Sequence, residues 1–244
     1  MARTNSKITK PKTLAFGVHL FTATGSIMAF MSLVEASNKN WIYSFAWLGL
    51  ALFVDGVDGP MARKLGVKNV LPNWSGELLD NVIDYVTYVL IPAFIIYNSG
   101  LLNSALSYLS GLIIVSSSAI YYADTSMKTN ENFFKGFPVV WNMLVFALFV
   151  IHPNQWLCFF CIAISAVICF LPIYFLHPVR VVRLRMINLP IFLIWCGLGI
   201  IALLYNFHSP FWVRSLSVIT GIYIYVIGGI MQLFPKLGSC LQNE

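Results

Sequence analysis

Five of the nine acidic residues in this 244-residue chain lie between Asp55 and Asp84, and four of those five are aspartates: Asp55, Asp58, Asp80 and Asp84. Asp55 and Asp58 are three apart and Asp80 and Asp84 four apart, so each pair shares one face of a helix. If the two helices pack side by side, four carboxylates converge. Divalent cations neutralise such a cluster well, and an all-oxygen ligand set points to Mg²⁺ or Mn²⁺. Two carboxylate pairs can hold two metals about 4 Å apart, an arrangement suited to displacement at phosphorus. The neighbours fit a phosphate-bearing substrate. Gly59 permits close backbone approach, Pro60 is expected to end or bend its helix, and Arg63 is a fixed positive fork. Each has a plainer reading: Arg63 as a topology charge, Gly59 and Gly76 as helix-packing glycines.

The elements that carry these residues must lie in lipid. The chain is 59% hydrophobic and 10% charged, with a mean hydropathy of +0.79. A soluble domain carries about 25% charged residues, so the composition predicts an all-α integral membrane protein, a polytopic bundle of about eight transmembrane helices. Apolar runs fall at 13–35, 41–62, 77–97, 101–123, 137–151, 155–177, 189–206 and 211–234. The fifth is short, bounded by Gly136-Phe137-Pro138 and His152-Pro153. One membrane-embedded domain over 1–244 is expected, with the acidic signature at 55–84 and a basic cytoplasmic N-terminus at 1–12 followed by a retained anchor.

The net charge of +6 does not mark a nucleic-acid binder, because the cations sit in short clusters between apolar runs. With eight spans, Lys39 and Arg214 are the only two of fifteen lysines and arginines on the far side. That bias puts both termini in the cytoplasm. Trp41, Trp156 and Trp212 open spans as belt residues do. Cys158 and Cys161 form a C-x-x-C pair with no second pair or histidine to complete a metal site, and read as packing. The second span runs inward to Arg63 and the third outward from Gly76, which brings the two aspartate pairs to a similar depth near the cytoplasmic face. A carboxylate in a membrane costs at least ~2.5–3.5 kcal/mol. The window offers four of them only Arg63, Lys64 and Lys68 as cationic partners, so a site is favoured over an ion-pair network.

Asp55-x2-Asp58-Gly59-x2-Ala62-Arg63 followed by Gly76-x3-Asp80-x3-Asp84 resembles the signature of the CDP-alcohol phosphatidyltransferase family. Twelve residues separate Arg63 from Gly76, about one helical turn more than is usual there, with the surplus in the polar loop 64–75. The resemblance implies Asp55, Asp58, Asp80 and Asp84 as metal ligands for Mn or Mg. On this pattern Asp84 is both ligand and base, and Gly59, Ala62, Arg63 and Gly76 are contacts of the CDP moiety. The runs Phe53–Pro60, Leu71–Gly76, Tyr121–Asp124 and Gly136–Asn142 are similar to a choline-using bacterial branch of the family. That implies CDP-diacylglycerol as donor, choline as acceptor, the bacterial inner membrane as location, and a homodimer.

Choline's ammonium carries no N–H, and aromatic faces are its usual partner. Tyr85, Tyr122 and Trp141 are the candidates, each also readable as a core or lipid-facing ring. Asp124 and Glu131 are either added negative charge or loop residues, and Thr22 and Thr24 either phosphate contacts or packing hydroxyls. Competing functions are the same transfer onto serine or inositol, and a transporter using the carboxylates as a cation pathway.

Overall fold

The computed structural model describes residues 10–129 and 131–237; residues 1–9 of the basic N-terminus and Cys240 lie outside the described residues. The chain is an all-α multi-pass membrane protein. Among the described residues six helices are long and apolar enough to cross a membrane, namely Lys12–Ser37, Trp41–Leu65, Gly76–Asn98, Ser104–Ala123, Arg185–Leu204 and Phe211–Leu233. Leu20, Ile27 and Phe30 on the first, and Ile194, Ile200 and Leu204 on the fifth, are each more than half exposed. Such rows of bare apolar side chains belong in lipid.

The other two expected spans hold shorter helices, Trp141–Ile151 and Gln155–Ile168. At 1.5 Å per residue these reach roughly 16 and 21 Å, less than a hydrocarbon core of about 30 Å. Eight apolar segments are therefore helical, but six have spanning length. The run 155–177 stops being helical at Ile168 because the chain turns there and reaches Pro172, which cannot donate to a helix.

The chain forms two compact units, Met1–Thr87 and Tyr88–Glu244. In the first, α1 (Lys10–Ser37) and α2 (Trp41–Leu65) make an antiparallel hairpin through a three-residue link, 38–40. Buried Ser32 donates to the Ser44 carbonyl at 2.9 Å near the link, and Ala15 and Val18 pack with Met61, Ala62 and Val67 at the other end. α2 does not end at Pro60 but continues to Leu65 and is closed by Gly66 at φ 59°. Left-handed glycine is the common helix stop. The surplus residues after Arg63 form a one-turn helix α3, Val67–Val70, whose Val67 is buried in that cluster. α4 (Gly76–Asp84) is started by Ser75, whose hydroxyl accepts the Leu78 N–H at 3.1 Å.

The π-helical turn Tyr85–Leu90 leads to α5 (Ile91–Asn98), α6 (Ser104–Ala123), α7 (Trp141–Ile151), α8 (Gln155–Ile168), α9 (Arg185–Leu204) and α10 (Phe211–Leu233). A small antiparallel ribbon organises the second unit: β1 (Phe134–Lys135) pairs with β2 (Tyr174–Phe175), Phe134 opposite Phe175. The ribbon joins the start of α7 to the end of α8, so these two helices run out and back. Gly136, at φ 79°, makes this possible, since a Cβ there would lie 2.1 Å from the Cys169 carbonyl oxygen. The end of α10 meets the same ribbon, with Gln232 accepting the Tyr174 N–H at 2.9 Å. Lys128, Lys135, Arg180, Arg183 and Arg185 all lie at this end by chain position, and Arg183 bonds the Met231 carbonyl.

Candidate active site

The first unit builds one concave site from three helices. Its lining includes Thr22 from α1, Asp55 and Asp58 from α2, and Asp80, Asp84 and Thr87 from α4 and the turn after it. α4 runs parallel to α1, with Gly76 beside His19 and Ile83 beside Gly25. α2 runs antiparallel to both, which puts Asp58 beside Thr22 and brings the two aspartate pairs to a common depth. One oxygen each of Asp55, Asp80 and Asp84 lies within 4.8 Å of the others. Asp58 is the most deeply set, 7% exposed, and accepts the Thr22 hydroxyl at 2.7 Å.

Like-charged groups this close repel unless a cation or proton intervenes. The donor set fits a hard divalent ion: it is all oxygen and threefold negative, with a spacing that metal–oxygen bonds of ~2.1–2.5 Å bridge with little adjustment. Among the described residues Asp55, Asp80 and Asp84 are the group able to hold an ion, and Asp58 borders the same cavity.

The other expected residues divide by region. Gly59 and Ala62 are half-buried on the α2 face that leads from the carboxylates toward exposed Arg63. Gly76 has a packing role of its own, because a Cβ there would come 3.2 Å from the His19 ring. Tyr85 follows Asp84 directly and is half-buried. Tyr122 and Trp141 belong to the second unit. Trp141 is fully buried, donates its indole N–H to Ser118 Oγ at 2.7 Å and meets the Phe137 ring at 4.9 Å. Asp124 accepts both the N–H and the hydroxyl of Ser126, at 2.7 and 2.8 Å, and these bonds hold its carboxyl below the usual carboxylate range. Glu131 reaches Arg183 at 3.9 Å.

Two features are additions to the sequence reading. Thr22 contacts a carboxylate, whereas Thr24 only bonds back to the Phe21 carbonyl at 2.6 Å. The signal was the row His19, Thr22, Gly25 at spacing three on an otherwise apolar helix, since small and polar residues in membrane helices face the bundle. The second is the π-turn after Asp84, a feature frequent at functional sites. There Thr87 Oγ1 donates to the Ile83 carbonyl at 3.0 Å, and Pro92, at the start of α5, lacks the N–H that a regular helix would supply to Tyr88.

Residues 12–227 match the model of the CDP-alcohol phosphatidyltransferase family, and the chain belongs to that family. It is 65% identical over 232 residues to phosphatidylcholine synthase of Brucella melitensis biotype 1, covering 95% of this chain and 84% of the relative. It is 58% identical to phosphatidylcholine synthase of Mesorhizobium japonicum, covering 97% and 93% respectively. With phosphatidylcholine synthase of Pseudomonas aeruginosa it shares 38% over 75% of this chain and 77% of the relative.

Proposed function

We propose that this chain transfers the phosphatidyl group of CDP-diacylglycerol to choline, yielding phosphatidylcholine and CMP. The observation that carries the reading is the Asp55–Asp80–Asp84 cluster inside the family's signature; the choline acceptor rests on the activity that the relatives' names state. The family match runs through both compact units, which supports one catalytic domain over the chain.

Asp55, Asp58, Asp80 and Asp84 hold two divalent ions, Mg²⁺ or Mn²⁺. Bound there, such ions supply positive charge to the pyrophosphate oxygens and to departing CMP. Gly59, Ala62, Arg63 and Gly76 receive the CDP moiety. The choline oxygen forms a bond to the phosphorus next to the diacylglycerol as the bond from that phosphorus to CMP breaks. A hydroxyl is a weak nucleophile at neutral pH and needs a base within hydrogen-bond reach. Asp84 takes its proton, lying one turn farther from the cytoplasmic end of α4 than Asp80. Tyr85 is the proposed aromatic contact of the ammonium, because it adjoins Asp84 and is half-buried.

The site faces the cytoplasm, with both termini on that side of the bacterial inner membrane. The basic residues gathered at the ribbon end of the second unit support this, as does the out-and-back path of α7 and α8, which keeps the number of crossings even whether or not these helices span fully. The resemblance further suggests a homodimer, which crosslinking of the solubilised chain checks.

Purified protein with CDP-diacylglycerol, a divalent ion and a panel of alcohols tests the assignment. CMP release with choline, abolished by chelation, is the expected result. Release with serine or inositol but not choline would move the assignment to another acceptor.

A further inference from the structure

We propose that Thr22 is a positioning residue for the metal site: its hydroxyl fixes the rotation of the Asp58 carboxylate. The inference rests on the metal-dependent reading above. A threonine in a membrane helix has a default acceptor, the carbonyl one turn back. Three other threonines in the helical segments use local carbonyls of this kind: Thr24 on Phe21 at 2.6 Å, Thr87 on Ile83 at 3.0 Å, Thr220 on Leu216 at 2.7 Å. Thr22 has two acceptors within reach, the Val18 carbonyl at 3.2 Å and Asp58 Oδ2 at 2.7 Å. It has one proton to give, and the shorter contact falls in the range of hydroxyl–carboxylate bonds.

Both residues are buried, Thr22 8% and Asp58 7% exposed, and both line the cavity that contains the three-carboxylate group. A carboxylate at that depth is poorly hydrated and takes its orientation from protein donors. Thr22 is itself held in place by close packing above and below. A Cβ on Gly25, one turn on, would touch Ile83 Cγ2 at 3.0 Å, and the His19 ring, one turn back, lies against Gly76. α1 contributes no acid to the site, yet it meets both helices that do, and Thr22 bonds a metal-ligand candidate. Fixing a ligand's orientation through an outer hydrogen bond raises metal affinity without adding a ligand.

The test measures Mn²⁺ binding to the full-length chain in detergent or nanodiscs, by electron paramagnetic resonance without substrate. Thr22→Val keeps the shape and removes the donor; Thr22→Ser keeps the donor and removes a methyl. The expected result is that Thr22→Val weakens Mn²⁺ binding by about tenfold or more, the consequence of one lost hydrogen bond to a charged group, while Thr22→Ser stays close to wild type. In an Asp58→Asn background, Thr22→Val should add nothing further. Equal affinities for wild type and Thr22→Val would overturn the inference alone, as would equal weakening by Val and Ser, which would make Thr22 a packing residue. A wild-type chain that binds no Mn²⁺ takes the metal reading down and this inference with it. Where Thr22→Val does not fold, Thr22→Cys, close in volume and a weak donor, is held to the same outcomes.

Discussion

The two units differ in whether they gather their carboxylates. In the second unit each described acid has a local partner. Asp124 is bonded to Ser126 at the exposed end of α6, and Glu131 reaches Arg183 beside the ribbon. In the first unit one oxygen each of Asp55, Asp80 and Asp84 lies within 4.8 Å of the others. Acids at the ends of helices need only water and a turn to be stable. Acids crowded below the membrane surface are disfavoured by both desolvation and mutual repulsion. A fold that assembles such a group on three tightly packed helices has a cation as its natural complement. The basic residues at the ribbon end of the second unit, by contrast, are the edge charges on which the proposed orientation of the chain rests.

The largest expected effect falls on the first unit. Asp80→Asn keeps the shape but removes the charge on which divalent binding depends, so transfer should be abolished while the chain stays folded. Near-normal CMP release at saturating Mn²⁺, in a variant with an unchanged melting temperature, would break the comparison. Gly136→Ala is the mirror case in the second unit. Its Cβ would meet the Cys169 carbonyl at 2.1 Å, at a φ of 79°. Combined backbone strain and overpacking should cost roughly 2–4 kcal/mol. The loss should appear as a lower melting temperature and less folded protein, rather than as altered Mn²⁺ affinity in the folded fraction.

The acidic site was legible in the sequence because spacings of three and four map directly onto helix faces, and opposite span directions put Asp55/Asp58 and Asp80/Asp84 at one depth. The spans bounded by strong apolar runs were equally legible. The run 155–177 was not, because hydropathy sums side chains and is blind to where the backbone turns. Apolar residues after Ile168 can leave the helix because their backbone groups find partners in the ribbon and in Gln232. Pro60 does not end its helix, one of the two outcomes expected of it. Proline disfavours a helix locally, but the packing of Met61, Ala62 and Val67 on α1 carries α2 on to Leu65. Thr22 was legible as a phosphate contact or a packing hydroxyl but not as a partner of Asp58, which is thirty-six residues away.

A smaller effect is expected at Tyr85, which tests whether the chemistry beside Asp84 extends to the acceptor. A desolvated cation–π contact contributes about 2 kcal/mol, roughly thirtyfold in affinity. Tyr85→Leu should therefore raise the choline KM by one to two orders of magnitude with the CDP-diacylglycerol KM little changed. Tyr85→Phe, which keeps the ring face, should cost far less. Wild-type choline kinetics in Tyr85→Leu would exclude this ring from the acceptor site.

The smallest effect sharpens the contrast from the side of the second unit. Asp124 is held below the usual carboxylate range, first by the Ser126 N–H, then by the Ser126 hydroxyl, with Lys135 adding to them. A group whose folded pKa is depressed contributes stability that is complete above its unfolded pKa, about 3.9 for Asp, and lost as pH falls through the folded value. Lowering the pH below about 4 should therefore release this turn and lower the melting temperature slightly. Asp124→Asn should be insensitive there, because an amide oxygen can still accept from Ser126 but no longer titrates. The measurement is the melting temperature of both proteins between roughly pH 3 and 6, together with CMP release near neutral pH, where Asp124→Asn should match wild type. Identical acid limbs would show that the turn contributes nothing to stability. A variant that folds normally but no longer transfers would put a second-unit carboxylate into the chemistry and undo the division between the two units.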